Sequence, residues 1–118
     1  MNIESRSAFR FARAGDTLAV ELGERLVMEN RMELKNGVLA EIAAGALVLR
    51  IHFSTAAVPT FVDSSGWGVL VGLARRAQEG GARLVLMNVD PGNLDYLWLT
   101  RLGDFFARET SEPGRLAA

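Results

Sequence analysis

The chain has 118 residues, of which 49% are hydrophobic, with no cysteine, one histidine and a formal net charge of −1. That length fills one hydrophobic core and is short for two, and 13 basic against 14 acidic residues without a basic run argues against nucleic-acid binding, which needs clustered Lys and Arg to neutralise phosphates. The lack of cysteine removes disulfides and thiolate ligands, and a single histidine is too few for a nitrogen-ligated metal centre, so no metal or cofactor is expected.

In chain order, Phe9 and Phe11 and then Leu18, Val20 and Leu22 alternate with polar or small residues around Gly15-Asp16, the pattern of a β-hairpin. From about Val27 to Ala43 the residues Leu34, Val38, Leu39 and Ile42 recur at helical spacing, with Gly45 placed to end the helix. Leu47 to Phe53 is a mostly apolar run rich in branched residues, as in a strand covered on both faces, and is expected at the sheet centre. Ser54 to Thr60, with Pro59, is a loop. A second helix is predicted over Ser64 to about Glu79, stopped by Gly80-Gly81; a buried strand over Arg83 to Val89; and a third helix over Gly92 to about Leu99, introduced by Asp90-Pro91.

Strands alternating with helices at this spacing predict an α/β fold: a mixed, mostly parallel sheet with helices packed on it. One domain is expected over residues 1–110, with a flexible tail over 111–118 that holds Pro113 and Gly114. Residues 1–15 carry arginines but no continuous apolar block, and no run reaches the roughly 18 apolar residues of a membrane span, so the expectation is a cytoplasmic protein without membrane insertion.

The richest stretch is Phe61-Val62-Asp63-Ser64-Ser65-Gly66-Trp67-Gly68-Val69-Leu70, where an apolar strand end runs through two hydroxyls into an almost wholly apolar helix. Asp63 and Ser64 both suit the N-cap, whose side-chain oxygen accepts from the free N–H groups of the first turn. Ser65 then stands where the helix terminus favours negative charge, such as a phosphate.

Two enzymatic readings of this stretch fail on chemistry. Gly66, Gly68 and Gly72 imitate a dinucleotide-binding loop, but Asp63 would put a carboxylate at the pyrophosphate and Trp67 a bulky ring between glycines that must clear the backbone. Close helix packing is the expected use of Gly68 and Gly72, four residues apart on one face. A serine at a strand-to-helix turn also suits a hydrolase nucleophile, but no glycine precedes Ser64 or Ser65 in the elbow positions, and His52 lies within a strand pattern with no second histidine to serve as base. Arg75 and Arg76 read as a solvated helix face. No catalytic constellation is expected.

Asp63-Ser64-Ser65-Gly66 followed by Gly68-Val69-Leu70 resembles the signature of STAS domains, in the subgroup of bacterial anti-sigma factor antagonists. The likeness extends to Leu47-Val48-Leu49-Arg50-Ile51 and Ala82 to Val89 as family strands, and to Asp90-Pro91 with Leu97 to Phe106 as the last helix, its turn and the closing edge segment. It covers roughly Phe9 to Phe106 and is specific in the second half.

The resemblance implies a STAS fold and a binding role rather than catalysis. An unphosphorylated antagonist of this kind binds an anti-sigma factor that is itself a serine kinase and frees the sigma factor. Phosphorylation of the motif serine, here Ser65 with Ser64 the less favoured acceptor, turns it off, and a PP2C-type phosphatase restores it. Asp63, Ser64, Ser65, Gly66 and Trp67 are the implied partner-binding residues, with Asp63 a recognition or positioning carboxylate. Trp67 stands where the family carries an aliphatic residue, two positions from Ser65, and is expected to anchor the interface rather than fill the core. Val27 replaces an acidic residue common in antagonists after the early hairpin. The alternative is a non-switching STAS docking subunit, such as a scaffold or a lipid-transporter accessory, in which Ser65 only caps a helix.

Overall fold

In the computed structural model, which describes residues 9–110, the first alternating stretch is a hairpin of β1 (Arg10–Ala14) and β2 (Thr17–Glu21), paired antiparallel from Arg10 opposite Glu21 to Ala14 opposite Thr17. The expected tail over 111–118 lies outside the described residues. Then follow β3 (Arg25–Leu26), α1 (Arg31–Ala43), β4 (Val48–His52), β5 (Phe61–Val62), α2 (Ser64–Glu79), β6 (Arg83–Met87), α3 (Pro91–Thr100), a 3-10 turn over Gly103–Phe105, and β7 (Ala107–Glu109). The main sheet has the order β1-β2-β4-β6-β7, with every pair after the first parallel. β4 is the middle strand, as its apolar run requires.

Period-2 alternation sorts the side chains. Leu18, Val20, Leu49, Ile51, Leu84 and Leu86 turn one way and are buried with Leu34 and Val38 of α1, Leu70, Leu73 and Ala77 of α2, and Leu97 of α3. This layer is the core. Both long helices end on a glycine in the left-handed region, Gly45 at φ +101° and Gly81 at φ +80°, where the chain reverses to feed β4 and β6. After each, the next amide reaches back across the turn, Ala46 N–H to Glu41 O at 2.9 Å and Ala82 N–H to Ala77 O at 2.8 Å, satisfying carbonyls the helix leaves open.

Two features depart from the sequence expectation. α1 begins at Arg31, four residues later than predicted, because Asn30 claims the preceding turn. Its Oδ1 accepts from Val27 N–H at 2.9 Å and its Nδ2 donates to Arg25 O at 3.1 Å, while Val27 O accepts from Asn30 and Arg31 N–H. The second is a separate parallel pair, β3 with β5, joining Arg25 to Phe61 and Leu26 to Val62. Because β3 leads into α1 and β5 into α2, this pair starts both helices side by side.

The glycines of α2 have unequal roles. A Cβ on Gly66 would collide with Leu26 O, so only glycine lets the first turn of α2 pass this close to β3. Gly68 and Gly72 are exposed, and a Cβ on either would meet nothing within 4 Å, which corrects the expectation that they serve close helix packing. Gly66→Ala should therefore lose about 1–3 kcal/mol in urea denaturation, whereas Gly68→Ala should gain about 1 kcal/mol from helix propensity. Equal effects of the two substitutions would contradict this contrast.

Candidate functional site

Asp63 takes extended backbone angles (φ −86°, ψ 179°) as N-cap of α2, which leaves its carboxylate facing the first turn. Oδ1 accepts from Gly66 N–H at 2.8 Å and from Ser65 Oγ–H at 2.7 Å, and Oδ2 accepts from Met28 N–H at 3.1 Å. One side chain thus closes the helix cap, orients the serine hydroxyl and ties the approach to α1 onto the start of α2. The Ser65 hydroxyl, followed by the Gly66 amide, holds the Asp63 carboxyl below its ordinary value of 3.8, since each bond favours the charged form.

Ser64 is exposed and Ser65 half-buried, both on the first turn. With its hydroxyl hydrogen bonded to Asp63, the Ser65 oxygen retains its acceptor lone pairs. Ser65 also opens onto a groove between α1 and α2, together with Arg31 and Lys35 of α1 and the exposed Gly68 and Gly72 of α2. Asp63, Ser64 and Ser65 therefore form one accessible cluster, and Gly66 lies buried beneath it.

Trp67 is not part of that surface. Its side chain is 1% exposed and its ring stacks on Phe53 at 5.9 Å and Tyr96 at 5.6 Å between centroids, with Phe106 tilted against it at 6.0 Å. This corrects the expectation of an interface anchor: the helix is apolar on nearly every side, and Trp67 points at the sheet and α3. The indole N–H finds no acceptor among the described residues, an unpaired donor that the aromatic contacts must offset.

Sequence reasoning did not single out Thr60 and Asn93 as positioning residues. Thr60 is 2% exposed; its Oγ1 donates to Gly23 O at 2.6 Å and accepts from Ser54 N–H at 2.8 Å. Asn93 Nδ2 donates to Thr60 O at 2.9 Å and to Asp90 Oδ1 at 2.7 Å, while Asp90 caps α3 through Asn93 N–H at 3.2 Å. This network fixes the end of the loop that delivers β5 and hence the motif. The Asp90-Pro91 cap signal was its only trace in the sequence.

His52 sits half-buried on β4 opposite Glu21, and burial pushes its imidazole below the ordinary value, opposed by Glu21 and reinforced by Arg50. No hydrogen bond joins it to Ser64 or Ser65 among the described residues. The described residues hold no cluster of three metal-ligating side chains and no helix long and apolar enough to cross a membrane.

The family model of the STAS domain matches residues 9–113. Among curated proteins none matches this sequence. Among solved structures, the chain is similar to the Bacillus cell fate determinant SpoIIAA in its phosphorylated form, with 21% identity over 90% of this chain and 93% of that one and a TM-score of 0.70. The unphosphorylated form of SpoIIAA, described as an anti-sigma factor antagonist, gives 20% identity over 89% and 90% of the two chains and a TM-score of 0.69. A candidate anti-sigma factor antagonist from Thermotoga maritima gives 19% identity over 93% and 92% and a TM-score of 0.76. At these identities the likeness is one of fold.

Trp67→Ala should cost about 3–5 kcal/mol of folding stability, whereas Trp67→Phe, which keeps a stacked ring and removes the unpaired donor, should cost markedly less. Thermal melts of the two variants check this, and a near-native melting temperature for the alanine variant would return Trp67 to the surface. Asp63 supplies a pH test. Its lowered folded value means that its contribution is present above the ordinary aspartate value and lost as pH falls through the folded one. Wild type should therefore lose its advantage over Asp63→Asn as pH falls through and below the ordinary aspartate range. Parallel stability profiles would sink the assignment.

Proposed function

The chain belongs to the STAS domain family, and from that premise we propose that it is an anti-sigma factor antagonist whose unphosphorylated form binds an anti-sigma factor. That partner is a serine kinase. Its phosphorylation of Ser65 releases the complex, and a PP2C-type phosphatase reverses the step, all in the cytoplasm. The observation that carries the reading is the Ser65 hydroxyl on the first turn of α2, partly exposed and oriented by Asp63 at 2.7 Å. Its support from relatives is the fold shared with SpoIIAA, which is known in phosphorylated and unphosphorylated forms.

Magnitudes favour a switch read by the partner. A phosphate adds roughly −1.5 to −2 charges, which a helix N-terminus stabilises by about 0.3–1 kcal/mol, so the fold tolerates it. An interface that buries the same dianion unpaired loses several kcal/mol, and each 1.4 kcal/mol is about tenfold in affinity. Ser64 is the more exposed hydroxyl, but only Ser65 donates to Asp63. That bond favours Ser65 as the acceptor.

Incubation with the cognate anti-sigma kinase and ATP should add one phosphate at Ser65, and Ser65→Ala should abolish it. Ser65→Asp should weaken binding to the kinase at least about tenfold with little change in melting temperature. Peptide mass spectrometry placing the phosphate elsewhere would refute the assignment, as would calorimetry showing Ser65→Asp bound as tightly as wild type. A chain that binds the kinase yet is never modified would be a docking module of the non-switching kind.

A further inference from the structure

The groove between α1 and α2, about 570 Å³ in volume, concentrates positive charge on a protein whose formal net charge is −1. Arg31 and Lys35 line it from α1, and Arg75 and Arg76 from α2, against the single carboxylate of Glu79. The two ion pairs among the described residues, Arg10 with Glu21 and Arg13 with Glu41, lie elsewhere. Arg75 is engaged with the Phe105 ring, its guanidinium carbon 5.1 Å from the centroid. Arg31, Lys35 and Arg76 therefore line the groove with no carboxylate of the described residues paired to them.

Ser65 opens onto the same groove, and its Oγ lies 2.7 Å from Oδ1 of Asp63, which does not line the groove. Phosphoryl transfer from ATP forms an Oγ–P bond, breaks the bond between the γ-phosphorus and the oxygen bridging to the β-phosphate, and releases ADP and the hydroxyl proton. The donor that held Ser65 to Asp63 is gone once that proton leaves. An ionised carboxylate would then face a dianion at hydrogen-bond distance, and repulsion turns the new group away from Asp63. Gly68 and Gly72 put no side chain into the groove, and a Cβ on either would meet nothing within 4 Å. The start of α1 is held close to this turn by the Met28 amide bonded to Asp63 at 3.1 Å, with Arg31 three residues further on.

We propose that a phosphoryl group on Ser65 is received within the fold by Arg31 and Lys35 of α1, across the groove. The α1 cations neutralise the modification in part, so that phosphorylation fills and discharges a groove that is open and cationic in the unmodified chain. This rests on the reading of Ser65 as the modified residue. Its test therefore installs the phosphoserine during translation, so that the outcome does not depend on any kinase accepting Ser65.

The full chain with phosphoserine encoded at position 65 is titrated by phosphorus NMR, alone and with Arg31→Gln and Lys35→Gln together. The second ionisation of a free phosphoserine lies near about 6. Nearby cations favour the dianion, so the phosphate in the otherwise native chain should titrate about one pH unit lower than in the double variant. The comparison cancels the helix-terminus contribution, which both proteins share. Phosphoserine encoded at position 64 serves as a control and should respond less to the same double substitution. Melts of both proteins verify folding, and the single substitutions supply the comparison should the double variant not fold. Identical titrations with and without Arg31 and Lys35 would overturn the proposal. Such a result would leave the kinase reading standing, just as a failed kinase assay would leave this titration informative.

Discussion

The Asp63 carboxylate holds together what the rest of the site depends on. It accepts from the Gly66 amide, the Ser65 hydroxyl and the Met28 amide, so a single charge joins the start of α2 to the segment entering α1. Backbone pairing of β3 with β5 supplies the rest of that junction, including Asp63 N–H to Leu26 O at 3.2 Å. The arrangement works only because residue 66 is glycine, with Leu26 O where a side chain would otherwise sit. Charge, register and side-chain size agree on one position for Ser65.

Beneath this junction the support changes from polar to apolar. Trp67, Phe53, Tyr96 and Phe106 form a stacked cluster drawn from α2, the end of β4, α3 and the start of the last edge. Beside it, Thr60 and Asn93 satisfy one another's region through buried hydrogen bonds that span the loop, the β2 to β3 turn and the cap of α3. The first turn of α2 therefore rests on a packed floor, with Ser64 exposed and Ser65 half-buried above it.

Much of this was legible in the sequence, for identifiable reasons. The limits of α2 follow from the Asp63 cap and from Gly80-Gly81, and the hairpin from strict alternation around Gly15-Asp16. The strand end at Phe61-Val62 was legible, but β3 escaped because two residues carry no periodicity, and its pairing with β5 is visible only once the chain has closed. Trp67 was misplaced because an apolar helix gives no direction to its faces, so proximity to Ser65 was taken for shared exposure. Gly68 and Gly72 were misread for a related reason: glycine spacing shows that side chains are missing and says nothing of what fills the space. The cations of the groove were likewise invisible, since Arg31 and Lys35 are separated from Arg75 and Arg76 by some forty residues of chain.

The edges of the main sheet bear on how such a protein meets others of its kind. Among the described residues the sheet ends on β1, with Arg10 and Arg13, and on β7, only three residues long and bearing Arg108 and Glu109. Charge on an edge strand discourages strand-to-strand addition, a route from a small sheet to an aggregate. Among the described residues, charge on both margins leaves the helical side, with its groove, as the face more open to contact.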